Sequence, residues 1–334
     1  MTVYRVEGVE DVSDEIAIKP KEVKPKLQVE TVLLRPELSL KEAEDKWINK
    51  PIDPTSIKYR PSVNTFYRTG DGKAKLLFLR DVLDADIRAK AYARLQQLQP
   101  HLTSCKNSKR RCLRGSPGAE AIFGYTDNLA IVAPTKMSPT RRQTHPQWTA
   151  PSVKQFPAFR GLWPLCWQME DMLNLYIPDY WADRTIDDKH GPAVRGEGER
   201  NDFFQYPESN RKLVEAWDDF NLFYNIPGSN FASMSVNWNT RFLAHKDWNN
   251  SSGALSCLAT FGTFAGGELC FPRLGVALNV KPGDMLACDC PQELHGTLST
   301  PQGNRYSVVV YTREGLTKAG IGAKIAAKNA KAGM

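Results

Sequence analysis

The sequence has no run of the roughly 18 to 20 apolar residues that a membrane-crossing helix requires, and residues 1–10 lack the apolar stretch of a secretory signal. A soluble intracellular protein is expected, nuclear in a eukaryotic cell and cytoplasmic in a bacterium or in the host of a virus. C-x-x-C pairs are missing too. The seven cysteines are odd in number and scattered, which argues against a disulfide framework and against a four-cysteine zinc site. Cys288 and Cys290, two residues apart on a predicted strand, are expected to face the same side and pack as small apolar groups. Internal repeats are absent. With 334 residues, 41% hydrophobic and 24% charged, the chain can bury one substantial core and carry a second lobe or a tail.

Acidic residues are scarce where basic ones gather. Between 101 and 160 the acids are Glu120 and Asp127, against ten basic residues that include Lys109, Arg110, Arg111 and Arg114. From Arg313 onward five basic residues face Glu314 alone. The net charge of +7 is therefore unevenly spread, and clustered Lys and Arg of this kind neutralise phosphates and release their counterions. A solvated basic surface is the plainer reading of the same composition.

Residues 1–60 mix Lys, Glu and Pro with isolated apolar patches and read as a flexible arm or an extended strap. Residues 75–79 read as a strand. Asp84 then caps a helix to about Leu98 whose Ile87, Ala91, Leu95 and Leu98 share one face, and Pro100 stops it. Glycines and a proline between 111 and 124 favour a basic loop, helical patterns return at 162–176 and 211–220, and 187–200 reads as an exposed loop. After Pro227-Gly228 the texture changes to short strand-like runs at 231–238, 255–263, 268–271, 276–280, 284–289 and 306–312. The expected organisation is an arm (1–60), one domain (61–316) with helical support (61–226) and a β core (227–316), and a basic tail (317–334). Its fold class is α+β, a sandwich or barrel of strands buttressed by helices on one face.

His245 and Asp247 form an H-x-D triplet, so in an extended segment both side chains point the same way. His295 must then come from a facing strand, because one short segment cannot surround an ion. Two imidazoles and a carboxylate leave three positions open on a ferrous ion. Arg305, ten residues beyond His295, can be returned to the interior by the last strand, where a dicarboxylate would satisfy its guanidinium bidentately. Two turns support the frame: Gly266-Gly267-Glu268-Leu269 opening a strand, and Lys281-Pro282-Gly283-Asp284, whose Pro and Gly fit type II geometry. This pattern points to oxygenase chemistry.

Together the H-K-D, G-G-E-L, K-P-G-D and E-L-H-G-T segments, and Arg305 followed by Tyr306-Ser307-Val308, resemble Fe(II)/2-oxoglutarate dioxygenases of the TET/JBP branch, over roughly 231–315. The resemblance implies a double-stranded β-helix, with iron on His245, Asp247 and His295, 2-oxoglutarate on Arg305, and O2 as the oxidant. It also implies hydroxylation of the 5-methyl group of 5-methylcytosine or thymine in DNA. Base contacts would fall near Asn250 and Arg313, where relatives often place Asp and His. Such a base must be extruded from its stack at a cost of a few kcal/mol, with Lys109, Arg110 and Arg111 holding flanking phosphates and Trp238 or Trp248 stacking on the base. Two alternatives stay open at this point: a dioxygenase acting on a protein side chain or small molecule, and a non-catalytic DNA-binding protein.

Overall fold

Period-two alternation organises the described part of the chain. In the strand Ala74–Leu79, Leu77 and Leu79 enter one apolar cluster while Leu76 and Phe78 enter another on the opposite face. Met285 and Ala287 divide in the same way from Leu286 and Cys288. A sheet apolar on both faces must be covered on both faces, and it is. The computed structural model describes residues 27–70, 73–104, 118–124, 158, 161–177, 229–231, 233–248, 250–251 and 254–312.

In chain order the elements are β1 (Glu30–Leu34), α1 (Leu40–Trp47), β2 (Thr65–Thr69), β3 (Ala74–Leu79), α2 (Ala85–Leu98), β4 (Thr103–Ser104), β5 (Ala119–Gly124) and α3 (Trp163–Tyr176). Then follow β6 (Ser233–Trp238), β7 (Ser256–Phe261), β8 (Phe264–Ala265), β9 (Leu269–Phe271), β10 (Val276–Leu278), β11 (Met285–Cys288), β12 (Gly296–Thr297), β13 (Gln302–Gly303) and β14 (Tyr306–Tyr311). The large sheet runs β1-β2-β3-β11-β7-β14-β6-β5-β4, and a smaller sheet runs β10-β9-β12. Every pairing in the two is antiparallel except β1 with β2.

One face of the large sheet packs on α2 and α3 through Leu95, Leu98, Leu165 and Met169 against Val236, Val308 and Val310. Asp84 caps α2 as its sequence predicts, accepting from the Asp86 and Ile87 backbone N–H groups. Pro164 lies in the first turn of α3, where a missing N–H costs nothing. On the other face Phe271, Val276 and Leu278 of the small sheet pack against Leu76, Phe78, Leu258 and Leu286. The outward residues of the small sheet, Cys270 and Ala277, meet Ala43 and Trp47 of α1. The fold is a double-stranded β-helix, with α2 and α3 the supporting helices on the large sheet among the described residues.

Three features differ from the sequence reading. Residues 119–124 are not a loop but β5, since β6 offers a full edge that pairs from Ala119↔Trp238 to Gly124↔Ser233. The first half of the chain supplies strands as well as helices, extending the large sheet at both ends. Within 27–60, β1 joins the sheet edge and α1 closes the small sheet, its Ser39 and Glu42 forming a capping box. The predicted helix at 211–220, the loop at 187–200 and the basic tail lie outside the described residues.

Candidate metal centre

His245 and His295 face one another as an isolated antiparallel bridge, exchanging backbone N–H···O=C bonds of 2.8 and 2.9 Å. Strand pairing therefore sets the two imidazoles side by side, with ring centroids 4.3 Å apart. Asp247 is held by its N–H, which donates to the Cys290 carbonyl at 3.0 Å. Among the described residues, His245, Asp247 and His295 are the cluster whose ligand atoms all lie within 4.8 Å of one another. The carboxylate stands 4.0 Å from His245 Nε2 and 3.7 Å from His295 Nε2, too far for hydrogen bonds, so three donor atoms border a common space.

The tautomers follow from the opposite side of each ring. His245 Nδ1 lies 2.7 Å from the Leu243 carbonyl and His295 Nδ1 lies 3.1 Å from the Glu293 carbonyl. A carbonyl can only accept, so Nδ1 carries the hydrogen and a neutral ring presents its Nε2 lone pair to the shared space. Phe242 and Phe271 flank the two rings at 5.6 and 6.0 Å. Burial opposes charging of His295, but Cys290 and then Asp247 outweigh it and hold its pKa up at about 9. Two nitrogens and one carboxylate on one side of an ion suit a ferrous centre with open positions.

Behind His295 lies a buried charge network that sequence reading missed. Lys75 Nζ donates to Asp289 Oδ2 at 2.7 Å and stands 3.3 Å from Glu293 Oε1, while the Arg273 guanidinium grips the Glu293 carboxylate through Nε at 2.7 Å and through a second, shorter bond. Glu293 supplies the carbonyl that orients His295, so the network fixes the segment that delivers the ligand. Removing one member of a buried set strands the others. Lys75→Met is expected to cost about 3 to 5 kcal/mol of stability, read from urea unfolding. It should also weaken Fe(II) retention by roughly ten- to a hundredfold, read from metal titration.

Arg305 immediately precedes β14 and is buried at 6% exposure. Its backbone is pinned by Asn239, which accepts from the Arg305 N–H through Oδ1 at 2.8 Å and donates its own N–H to the Arg305 carbonyl at 2.8 Å. The guanidinium carbon lies 5.4 Å from the Phe264 ring centroid. Gly267, at φ +73°, passes so close that a Cβ there would stand 3.0 Å from Arg305 Cδ. No carboxylate among the described residues pairs with this arginine, its buried Nε has no partner, and burial lowers its pKa to about 10. A buried cation with an orphaned donor fits a ligand carboxylate.

The remaining sequence-predicted residues divide. Asn250 lies one turn beyond Asp247, its N–H donating to the Asp247 carbonyl at 2.9 Å, but its buried side-chain amide donates to Ser256 Oγ at 3.3 Å. Trp238 donates through Nε1 to Asn304 Oδ1 at 2.6 Å and packs on the main core. Trp248 is 61% exposed, with Lys246 Nζ 4.0 Å from its ring centroid, and that lysine pairs with Glu44 of α1 at 2.8 Å. Lys109, Arg110, Arg111 and Arg313 lie outside the described residues. The turn Lys281-Pro282-Gly283-Asp284 has the expected form, with Asp284 N–H donating to the Lys281 carbonyl at 2.9 Å and Gly283 at φ +105°.

Comparison with known proteins finds a family match over about a third of the chain. Residues 206–314 match the Tet_JBP family, described as the oxygenase domain of the 2OGFeDO superfamily. No curated protein matches the chain. Similar solved structures include NgTET1 in complex with 5mC DNA, at 14% identity and TM-score 0.47 over 87% of this chain and 84% of that one. Others are OsALKBH1, at 13% identity and TM-score 0.39 over 72% and 97% of the two chains, and a Pseudomonas putida prolyl-4-hydroxylase, at 12% identity and TM-score 0.30 over 72% and 92%.

Proposed function

We propose that the chain hydroxylates the 5-methyl group of 5-methylcytosine or thymine in DNA, on a base extruded from its stack, a reading supported by the match of residues 206–314 to the Tet_JBP oxygenase domain. The observation that carries the nucleic-acid part is Trp248. A large aromatic side chain left 61% exposed one residue beyond Asp247 in sequence would offer a base a stacking surface. The basic stretch around Lys109, Arg110 and Arg111 supplies the charge to hold flanking phosphates.

In this reading His245, Asp247 and His295 would hold Fe(II), and Arg305 would take the distal carboxylate of 2-oxoglutarate. Bound there, iron, 2-oxoglutarate and O2 supply the oxidising power that inserts one oxygen atom into the methyl C–H bond, with succinate and carbon dioxide as co-products. The protein contributes fixed geometry. The Leu243 and Glu293 carbonyls keep both imidazoles in the ligating tautomer, and Phe242 and Phe271 limit water around the rings. Lys246, buried between the two ligands in sequence, points to Glu44 and so adds no cation to the ligand space.

Duplexes carrying 5-methylcytosine, or unmodified cytosine beside thymine, can be incubated with enzyme, Fe(II) and 2-oxoglutarate and their nucleosides weighed. A hydroxymethyl nucleoside is the expected product, and its identity fixes the base. Succinate formed equally with and without DNA, and no new nucleoside, would remove the DNA reading in favour of another substrate class. Trp248→Ala should raise the KM for DNA by roughly 5- to 150-fold, the equivalent of about 1 to 3 kcal/mol of stacking, with DNA-independent succinate formation unchanged.

A further inference from the structure

Cys288 and Cys290 do more than fill space. Their sulfurs lie 3.0 Å apart, inside van der Waals contact, and both residues are buried, at 1% and 3% exposure. An extended strand would keep residues two apart well separated, but here the Cys290 N–H donates to the Cys288 carbonyl at 2.9 Å, closing a γ-type turn on Asp289. That turn is clamped: the Asp289 N–H donates to the Lys75 carbonyl at 3.0 Å and its carboxylate holds Lys75 Nζ. The bend that a C-x-C bridge requires is already made, and the sulfurs need close by only about 1 Å to reach bonding distance.

The pair also touches the metal centre from two directions. The Cys290 carbonyl accepts the Asp247 N–H at 3.0 Å, and its thiol and the His295 imidazole act electrostatically on one another. Thiols sealed from bulk solvent are poorly placed to meet a dissolved oxidant. They are well placed to meet one made at the centre, because Cys290 itself holds the Asp247 backbone at 3.0 Å. An S–H bond is weaker than a methyl C–H bond, so a hydrogen-abstracting oxidant that finds no substrate finds these thiols next.

We propose that Cys288 and Cys290 are an internal two-electron donor to the oxygen-activating centre, closing to a disulfide when 2-oxoglutarate is consumed with no substrate bound. The inference rests on the oxygenase reading of the triad. Its balance is two thiols, one O2 and one 2-oxoglutarate giving one disulfide, one water, one succinate and one carbon dioxide. One oxygen atom enters succinate and the other is reduced to water by the two protons and two electrons that leave the sulfurs.

The test uses the unaltered full chain with Fe(II), 2-oxoglutarate and air but no nucleic acid, followed by alkylation and non-reducing peptide mapping alongside succinate measurement. The expected result is a Cys288–Cys290 peptide lighter by two hydrogens and closed to alkylation, accumulating in step with early succinate and absent when 2-oxoglutarate is withheld. Succinate without the disulfide overturns the thiol proposal and leaves the oxygenase reading standing. Disulfide formed at the same rate without 2-oxoglutarate also overturns it, since the oxidant would then not come from the centre. Absence of succinate under all conditions, including added methylated DNA, removes both. A Cys288→Ser variant should oxidise at a different site or inactivate after fewer uncoupled turnovers; unchanged longevity with no new oxidation product counts against the donor role.

Discussion

Asp247→Ala is expected to lower 2-oxoglutarate turnover by about a thousandfold, close to 4 kcal/mol, and to abolish retention of Fe(II). The asymmetry of the ligand set is the reason. Two of the three donors are imidazoles, and the aspartate supplies the only negative charge in the group that converges within 4.8 Å. Without it a divalent cation would sit among neutral nitrogens in a half-buried site. The fold should survive. The Asp247 side chain is 22% exposed, and the contact that places the segment is its backbone N–H to the Cys290 carbonyl, which alanine keeps. Unfolding within about 1 kcal/mol of the parent is expected. A variant that kept its iron would mean that the ligand assignment is wrong.

Cys290, and after it the same aspartate, give the centre a pH signature against the opposing effect of burial. With no metal, His295 carries a pKa raised to about 9, above the roughly 6.5 of an unfolded imidazole. A raised pKa favours the folded, protonated form, so this contribution to metal-free stability is complete below about 6.5 and lost as pH rises through about 9. Metal uptake runs the other way, because the ion must displace that proton. Apparent Fe(II) affinity should climb by about tenfold per pH unit up to about 9 and then level off, while metal-free thermal stability declines across the same window. Metal titration under anaerobic conditions at several pH values reads the first, and thermal unfolding without metal reads the second. An affinity flat from pH 6.5 to 9 would place the proton elsewhere.

How far the sequence foretold this site depends on the range of the interaction. The H-x-D spacing announces two side chains on one face, and the need for a third ligand from a facing strand is met by the His245↔His295 bridge. Those are local rules of alternation and pairing. Likewise the short apolar runs after residue 231 become β6, β7, β9, β10, β11 and β14, because strand signals are written in neighbouring residues. What stayed hidden depends on partners far away in sequence. Lys75 and Asp289 are 214 positions apart, Lys246 and Glu44 202, and nothing in either neighbourhood names the other. The strand β5 was hidden differently. Its AEAIF sequence is short and bordered by glycine, and it becomes a strand because β6 presents an open edge. The C-x-C pair was visible, but the sharp turn that presses its sulfurs together is clamped by a lysine on β3 and so could not be read locally.

Arg305→Met should produce two opposite effects in one variant. A guanidinium with an unpartnered buried Nε and no carboxylate beside it among the described residues costs the ligand-free protein desolvation energy. Methionine has similar length, fills the space under Gly267 and against Phe264, and needs no counter-charge. The variant without 2-oxoglutarate is therefore expected to unfold at a higher temperature than the parent, by roughly 1 to 4 kcal/mol in free energy. With 2-oxoglutarate the order should invert. The parent gains a charge-assisted, bidentate pair, and the variant loses interactions of roughly 3 kcal/mol or more, about a hundredfold in KM for 2-oxoglutarate. Thermal unfolding with and without 2-oxoglutarate and Fe(II), alongside succinate kinetics, reads both arms. A structural arginine would behave differently. Its removal would destabilise the ligand-free protein and leave KM nearly unchanged, and that result would detach Arg305 from the co-substrate. Stability given up in the empty state and regained only with ligand is the mark of a residue placed for binding rather than for folding.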